Sequence, residues 1–408
     1  MGRVSEWMLE QQERGYSEAD GDICTNCVSD PALKAWVAEN LIATACTFCG
    51  DKSEIEIAAS FDHFVGIVLC GIGFDWNDPQ NEGIMYDGQE GGYQAPLSET
   101  SDVFYDYDIS DNDEVVQAVI DVVGTEAWVE RDFYRGDDGK RLTSGWTWFK
   151  HVTMHQSRFL FLKNDGDKYD DGIPPSQMLN VIASVISKDL ATFNFIKTIC
   201  EDVDIYRIRI SPTPFETAAA IGPPPLEFAT QANRMSPAGI PMFYGAFDVD
   251  TAKAETFDAE HHAGQIMSIG AFRALRPLRL LDLAELPDIP SVFADETRQY
   301  IHPLRFLHAF AADLVKRIAR DGREHIEYVP TQVVTEFFRR EFRDSEGQPL
   351  DGLLYRSSRP GAGTACVLFA ENDQCAEADF KGKPSKHLLW LRAVKHENCP
   401  PCRSEGSR

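Results

Sequence analysis

The chain has 408 residues, 43% hydrophobic and 25% charged, enough for two soluble domains that each bury a core. Its longest apolar runs, such as Phe64 to Cys70, are far too short to span a bilayer, and its first residues lack a signal peptide's apolar core, so a cytoplasmic protein is expected. With 65 acidic against 39 basic residues the net charge is −26, which argues against nucleic acid as the main partner; any small anionic ligand must be held by local arginines against the general field.

Residues 1 to 20 are polar and Glu-rich, with Trp7, Met8 and Leu9 as apolar anchors, and read as a short helix or a loose arm. Next come Cys24-Thr-Asn-Cys27 and Cys46-Thr-Phe-Cys49, separated by 18 residues. Two such knuckles can offer four thiolates to one tetrahedral zinc, and four sulfurs leave no open position, so Cys24, Cys27, Cys46 and Cys49 are expected to hold a structural zinc. The intervening Asp30 to Leu41 has helical periodicity with an Asp-Pro start. Ser53 to Gly71 reads as an amphipathic helix whose His63 is a packed or surface histidine. The Gly-rich stretch 82 to 97 has no phosphate-loop pattern, and the acidic stretch 99 to 114 lacks EF-hand spacing; it reads as a solvated loop leading into a helix from Glu114 to Val123. Trp146 and Trp148 read as core anchors, and Lys163 to Pro175 as a polar break that can serve as a hinge.

The second half carries the chemistry. Asp204 to Ile210 alternates as a short strand with Arg207 and Arg209 on one face. Asn233 to Glu255 turns at Pro237 and Gly239, runs through the apolar Ile240 to Tyr244, and enters a helix capped by Asp248 or Asp250. That order brings Arg234, Tyr244 and Glu255 near one strand-to-helix corner: a guanidinium, an aromatic ring and a carboxylate. Downstream lie Tyr328-Val-Pro-Thr-Gln332 before a helix, then Asp351-Gly-Leu-Leu-Tyr-Arg-Ser-Ser358 and Gly361 to Phe369.

In this order and spacing, the blocks from about residue 200 to 380 resemble the RES domain, a family of bacterial toxin enzymes named for its Arg, Glu and Ser. The resemblance implies an α+β chain: a C-terminal ADP-ribosyltransferase-like RES domain over 200–385, a mostly helical, zinc-binding, HEPN-like domain over 1–195, and a Cys-containing tail over 386–408. It implies cleavage of the nicotinamide–ribose bond of NAD, within a toxin–antitoxin or anti-phage system whose partner is an antitoxin or trigger protein. Glu255 then stabilises positive charge on the ribose, Arg207 and Arg234 take the pyrophosphate, Tyr244 packs on nicotinamide or holds the ribose, and Ser357 offers a hydroxyl, with Ser358 as competitor. Residues 1 to 200 lack the Arg-x-x-x-x-His signature of active HEPN ribonucleases; the Arg320 and His325 spacing in the second half is read as chance. Where the family pattern has Gly-x-Asn, this chain has Gly363-Thr-Ala365. His261-His262 reads as a solvated loop, while Cys399 and Cys402 leave a second zinc open. A protein ADP-ribosyltransferase, or a non-catalytic zinc-stabilised sensing module, are the alternatives.

Overall fold

The computed structural model describes residues 14–89, 91–132, 138–161, 172–316, 322–377 and 386–400. The expected N-terminal arm up to residue 13, most of the 163–175 hinge, Arg320 and Cys402 lie outside them. Contacts divide the chain into two compact units: Met1–Arg141 with Ile289–His302, and Leu142–Asp288 with Pro303–Arg408.

In the first unit, β1 (Asp22–Cys24) pairs antiparallel with β2 (Ala58–Ser60), placing Cys24 opposite Ala58. Between them, α1 (Pro31–Glu39) starts on Asp30, whose carboxylate accepts from the amides of Ala32 (2.7 Å) and Leu33 (3.1 Å), with Pro31 where no amide is needed. The helix expected from Ser53 begins later, as α2 (Phe61–Ile72), because residues 58–60 are taken by the strand pairing and Ser60 supplies the cap. Its Phe61, Phe64, Val65, Val68 and Ile72 form the buried face, and His63 is exposed. The acidic stretch is not all loop: α3 (Thr100–Tyr105) forms within it because Val103 and Phe104 bury, Phe104 meeting Trp128 edge-on at 5.8 Å. After it, α4 (Asp113–Val122) starts on Asn112, close to the expected helix.

The second unit begins within α5 (Asp138–His155), at Leu142, and continues with α6 (Pro175–Ser184). Trp146 is indeed a core anchor: its ring stacks on Phe149 at 5.4 Å, and its indole donates to Asp313 (2.7 Å), which also pairs with Lys150 (2.6 Å). This ties residues 142–161 to the second unit, whereas the expected boundary fell near residue 195; 289–302 contribute Val292, Phe293 and Ile301 to the first unit's core.

Its centre is a mixed sheet of β3 (Ile196–Ile199), β4 (Ile205–Ser211), β5 (Phe243–Ala246), β6 (Ile266–Ala274), β7 (Leu278–Asp282), β8 (Gly352–Arg356), β9 (Thr364–Leu368), β10 (Cys375–Ala376) and β11 (Leu389–Asn398). The spatial order is β10-β11-β6-β4-β5-β9-β8-β7-β3. The segment expected as a tail thus supplies β11, paired along all of β6 from Ile266 opposite Asn398 to Ala274 opposite Leu389. One face buries Ile205, Phe243, Phe272, Leu280, Leu354 and Leu389. On the other side of the strand alternation stand Tyr206, Tyr244, Ala246 and Tyr355. Three helices complete the part that matters for function: α7 (Val249–Thr256), α8 (Ile301–Val315) and α9 (Val329–Arg340).

Of the two expected caps for α7, Asp248 is the one used, accepting from the Thr251 amide at 2.7 Å. Asp248→Ala is expected to cost about 1 kcal/mol, within the 0.5–2 kcal/mol range of lost caps. Urea denaturation checks this, as a lower midpoint with an unchanged slope.

Candidate active site

The cleft starts from a defect in strand pairing. β4 pairs with β6 from Ser211 to Ile205, but it meets β5 only where Tyr206 lies opposite Ala246. Beyond that point the two strands part, and the Tyr244 carbonyl takes its hydrogen bond from Arg207 Nη1 (2.8 Å) rather than from a backbone amide. Arg207 Nε donates to the Ile221 carbonyl (2.8 Å), and the guanidinium lies 5.3 Å from the Phe243 ring. The open space is a cleft of about 350 Å³, within the range of small-molecule sites. Its walls bring together Arg234, Tyr244 and Glu255, the residues that the sequence placed at one corner, with Arg207 from the strand upstream.

Each wall residue is held by its own contacts. Glu255 lies in the last turn of α7, and Ser357 Oγ donates to its Oε1. The Ser357 hydroxyl also accepts from the Arg359 amide (3.2 Å), while its own amide donates to Gly363 (3.0 Å), so the serine anticipated as either ligand or turn hydroxyl serves the turn and reaches Glu255. Among the described residues, Ser358 makes no such contact. Gly363, where the family pattern continues to an asparagine, donates its amide to Thr251 Oγ1 (2.7 Å) and so ties α7 to the β8–β9 connection. Ala365, in the asparagine's place, is buried in β9.

Tyr244 donates or accepts at Ser236 Oγ (3.0 Å), and burial pushes its phenol up to about 12. Burial pulls Arg207 down to about 10, with the charge of Arg209 a smaller cause, so it remains cationic at neutral pH. Gly245 lies where the strands part; a Cβ there would come within 2.8 Å of Ile205 Cγ2 and 2.9 Å of Phe243 Cε1, so the close approach needs glycine.

The block Tyr328 to Gln332 had no assigned role in the sequence, and the structure supplies one. Thr331, at the start of α9, donates its hydroxyl to the Arg234 carbonyl (2.5 Å), and Gln332 Nε2 donates to the Asn233 carbonyl (2.8 Å). Both side chains are buried and clasp the loop that carries Arg234, whose own Nη1 donates to the Val315 carbonyl. Thr331→Val, which keeps shape but removes the donor, is expected to speed deuterium exchange of amides 233–236 severalfold, and Thr331→Ser to restore the slow rate. Tyr328 and Tyr355 also line the cleft. The one signal for Tyr355 was its place two residues before Ser357 on a strand, which points both to the same face.

In the first unit, the four knuckle cysteines converge. Their Sγ atoms all lie within 4.8 Å of one another, with Cys24 and Cys27 at 3.8 Å, Cys24 and Cys49 at 3.6 Å, and Cys27 and Cys46 at 3.7 Å. Bonds of 2.3 Å to a central tetrahedral zinc would set sulfurs about 3.8 Å apart, so the arrangement fits the metal. Burial pushes the Cys27 thiol up while backbone hydrogen bonds outweigh burial and bring the Cys46 thiol down, and four thiolates this close would repel one another without a cation between them. Elsewhere, His262 Nδ1 accepts from the Asp258 amide (3.0 Å) within the single turn Ala259–His262, a helical turn where a loop was expected. Cys399 is buried but joins no cluster of three candidate metal ligands among the described residues. No helix among the described residues is long and apolar enough to cross a membrane.

Two family models match the chain: HEPN/RES N-terminal domain 1 over residues 39–167, and the RES domain over residues 204–390. No curated protein and no solved structure matches it. The RES match spans β4 to the start of β11 and so contains every wall of the cleft. The chain belongs to the RES-domain proteins, with a HEPN/RES N-terminal domain in front of the RES domain.

Proposed function

We propose that the RES domain cleaves the nicotinamide–ribose bond of NAD. The observation that carries this reading is the meeting of Glu255, fixed by Ser357, with Arg207 and Arg234 in one cleft walled by tyrosines. The bond from ribose C1′ to the pyridinium nitrogen breaks with its electron pair going to nitrogen, so nicotinamide departs neutral and needs no acid. Positive charge develops on the ribose, as in glycoside hydrolysis, and a carboxylate beside it lowers the barrier. Arg207 has two donors committed to backbone carbonyls, and its Nη2 has no protein partner among the described residues, which leaves a forked cation available to a pyrophosphate.

The second reactant decides the product. Water gives ADP-ribose, inorganic phosphate gives the ribose 1-phosphate of ADP-ribose, and a protein side chain gives a modified protein. Incubating the purified protein with NAD, with and without phosphate, and identifying the products tests the reading. Nicotinamide release is expected, and the partner of the ribose names the acceptor; no release by folded, metal-loaded protein contradicts it.

We infer further that Cys24, Cys27, Cys46 and Cys49 hold a structural zinc, on the strength of their tetrahedral spacing. The RES domain supports a bacterial toxin or defence role with an antitoxin or trigger protein as partner, and the fusion of the two domains alone motivates a gating role for the N-terminal unit. Growth arrest with NAD depletion on expression of the wild type, absent for a Glu255→Gln variant, is the expected cellular result.

A further inference from the structure

We propose that Tyr355 contacts the substrate directly, its phenol hydroxyl donating a hydrogen bond to the ribose whose bond is broken. This rests on the NAD-cleaving function proposed above. The argument begins with sheet register. Across the strands, Tyr355 lies opposite Ala365, Ala365 opposite Ala246, and Ala246 opposite Tyr206. Directly paired residues point to the same face, so two tyrosines flank a pair of alanine methyls. The small pair lets α7 pack closely on β4, β5 and β9, and Tyr206, Ala246 and Tyr355 border the cleft beside it.

Tyr355 is 6% exposed, yet no hydrogen bond to its hydroxyl is found among the described residues. The ring is packed, but the hydroxyl is not one of the enclosed polar atoms left without a partner: it opens to the cleft, where a ligand can accept from it. The neighbouring polar groups are already engaged: Tyr244 with Ser236, and Glu255 with Ser357. Burial, reinforced by the charge of Glu255, holds the Tyr355 phenol well above its ordinary range, so it remains a donor at any working pH. Glu255, an acceptor, and Tyr355, a donor, thus border the same cleft as the two arginines. A ribose, whose hydroxyls both donate and accept, matches that pair.

Tyr355→Phe removes the hydroxyl and keeps the ring, so it separates binding from packing. In the wild-type background, kcat/KM for NAD is expected to fall about tenfold with an unchanged melting temperature. In a Glu255→Gln background, where NAD should survive intact, calorimetry is expected to show about tenfold weaker NAD binding when Tyr355→Phe is added. Unchanged kcat/KM and affinity overturn the role of Tyr355 alone, as does a loss that tracks a lower melting temperature. Absence of both nicotinamide release by the wild type and NAD binding by either protein overturns the NAD reading together with it.

Discussion

Glu255→Gln is expected to lower the rate of nicotinamide release by about a hundredfold to a thousandfold, the effect of removing one preorganised electrostatic contact to a charged transition state, roughly 2.7–4 kcal/mol. Glutamine keeps the size of the side chain and can still accept from Ser357 Oγ, so α7 and the β8–β9 connection should hold their positions. What is lost is the negative charge facing the ribose as it becomes cationic. The fall should appear in kcat rather than KM, because the charge it answers exists only in the transition state. Steady-state kinetics, with melting temperature as the control for folding, separates the two parameters. A variant that loses affinity but keeps kcat would make Glu255 a binding group only.

Metal removal should have the next largest effect. Structural zinc in small domains contributes on the order of 10 kcal/mol of folding free energy, because the sulfurs would otherwise repel or remain protonated when buried. Here three of the four cysteines are buried, and Cys24 is also the last residue of β1. A strong chelator, or Cys27→Ser, is therefore expected to unfold the region around β1, α1 and β2 and to release one zinc per chain. Circular dichroism with a colorimetric zinc assay measures both. Zinc content near zero in natively purified protein, with no change in melting on chelation, would contradict the assignment.

Much of the site was legible because its residues sit in short blocks whose local geometry is fixed by neighbours. Asp248, the α7 start and Glu255 follow from an N-cap and a helix of small residues; the four cysteines follow from knuckle spacing. The cleft itself was not legible. Arg207 and Arg234 approach it from different elements, and Arg207 stands on the opposite strand face from Tyr244; only the parting of β4 from β5 lets both border one space. Strand pairing is set by partners distant in sequence, which no local pattern reports. The same holds for β11, whose run from Leu389 to Asn398 mixes apolar and charged residues and looks like a polar tail until β6 is beside it. The segment 289–302 joins the first unit through Val292, Phe293 and Ile301, whose partners in that core lie far away in the chain. The missed residues Thr331 and Gln332 act through backbone carbonyls of a loop, and side-chain motifs carry no record of that duty.

The most direct test of the account is a crystal structure of the Glu255→Gln protein with NAD. The account predicts the nicotinamide-bearing ribose within hydrogen-bonding distance of the substituted side chain at position 255 and of the Tyr355 hydroxyl, with the pyrophosphate on Arg207 and Arg234. NAD bound outside this cleft, or bound in it with that ribose turned away from position 255, would contradict it.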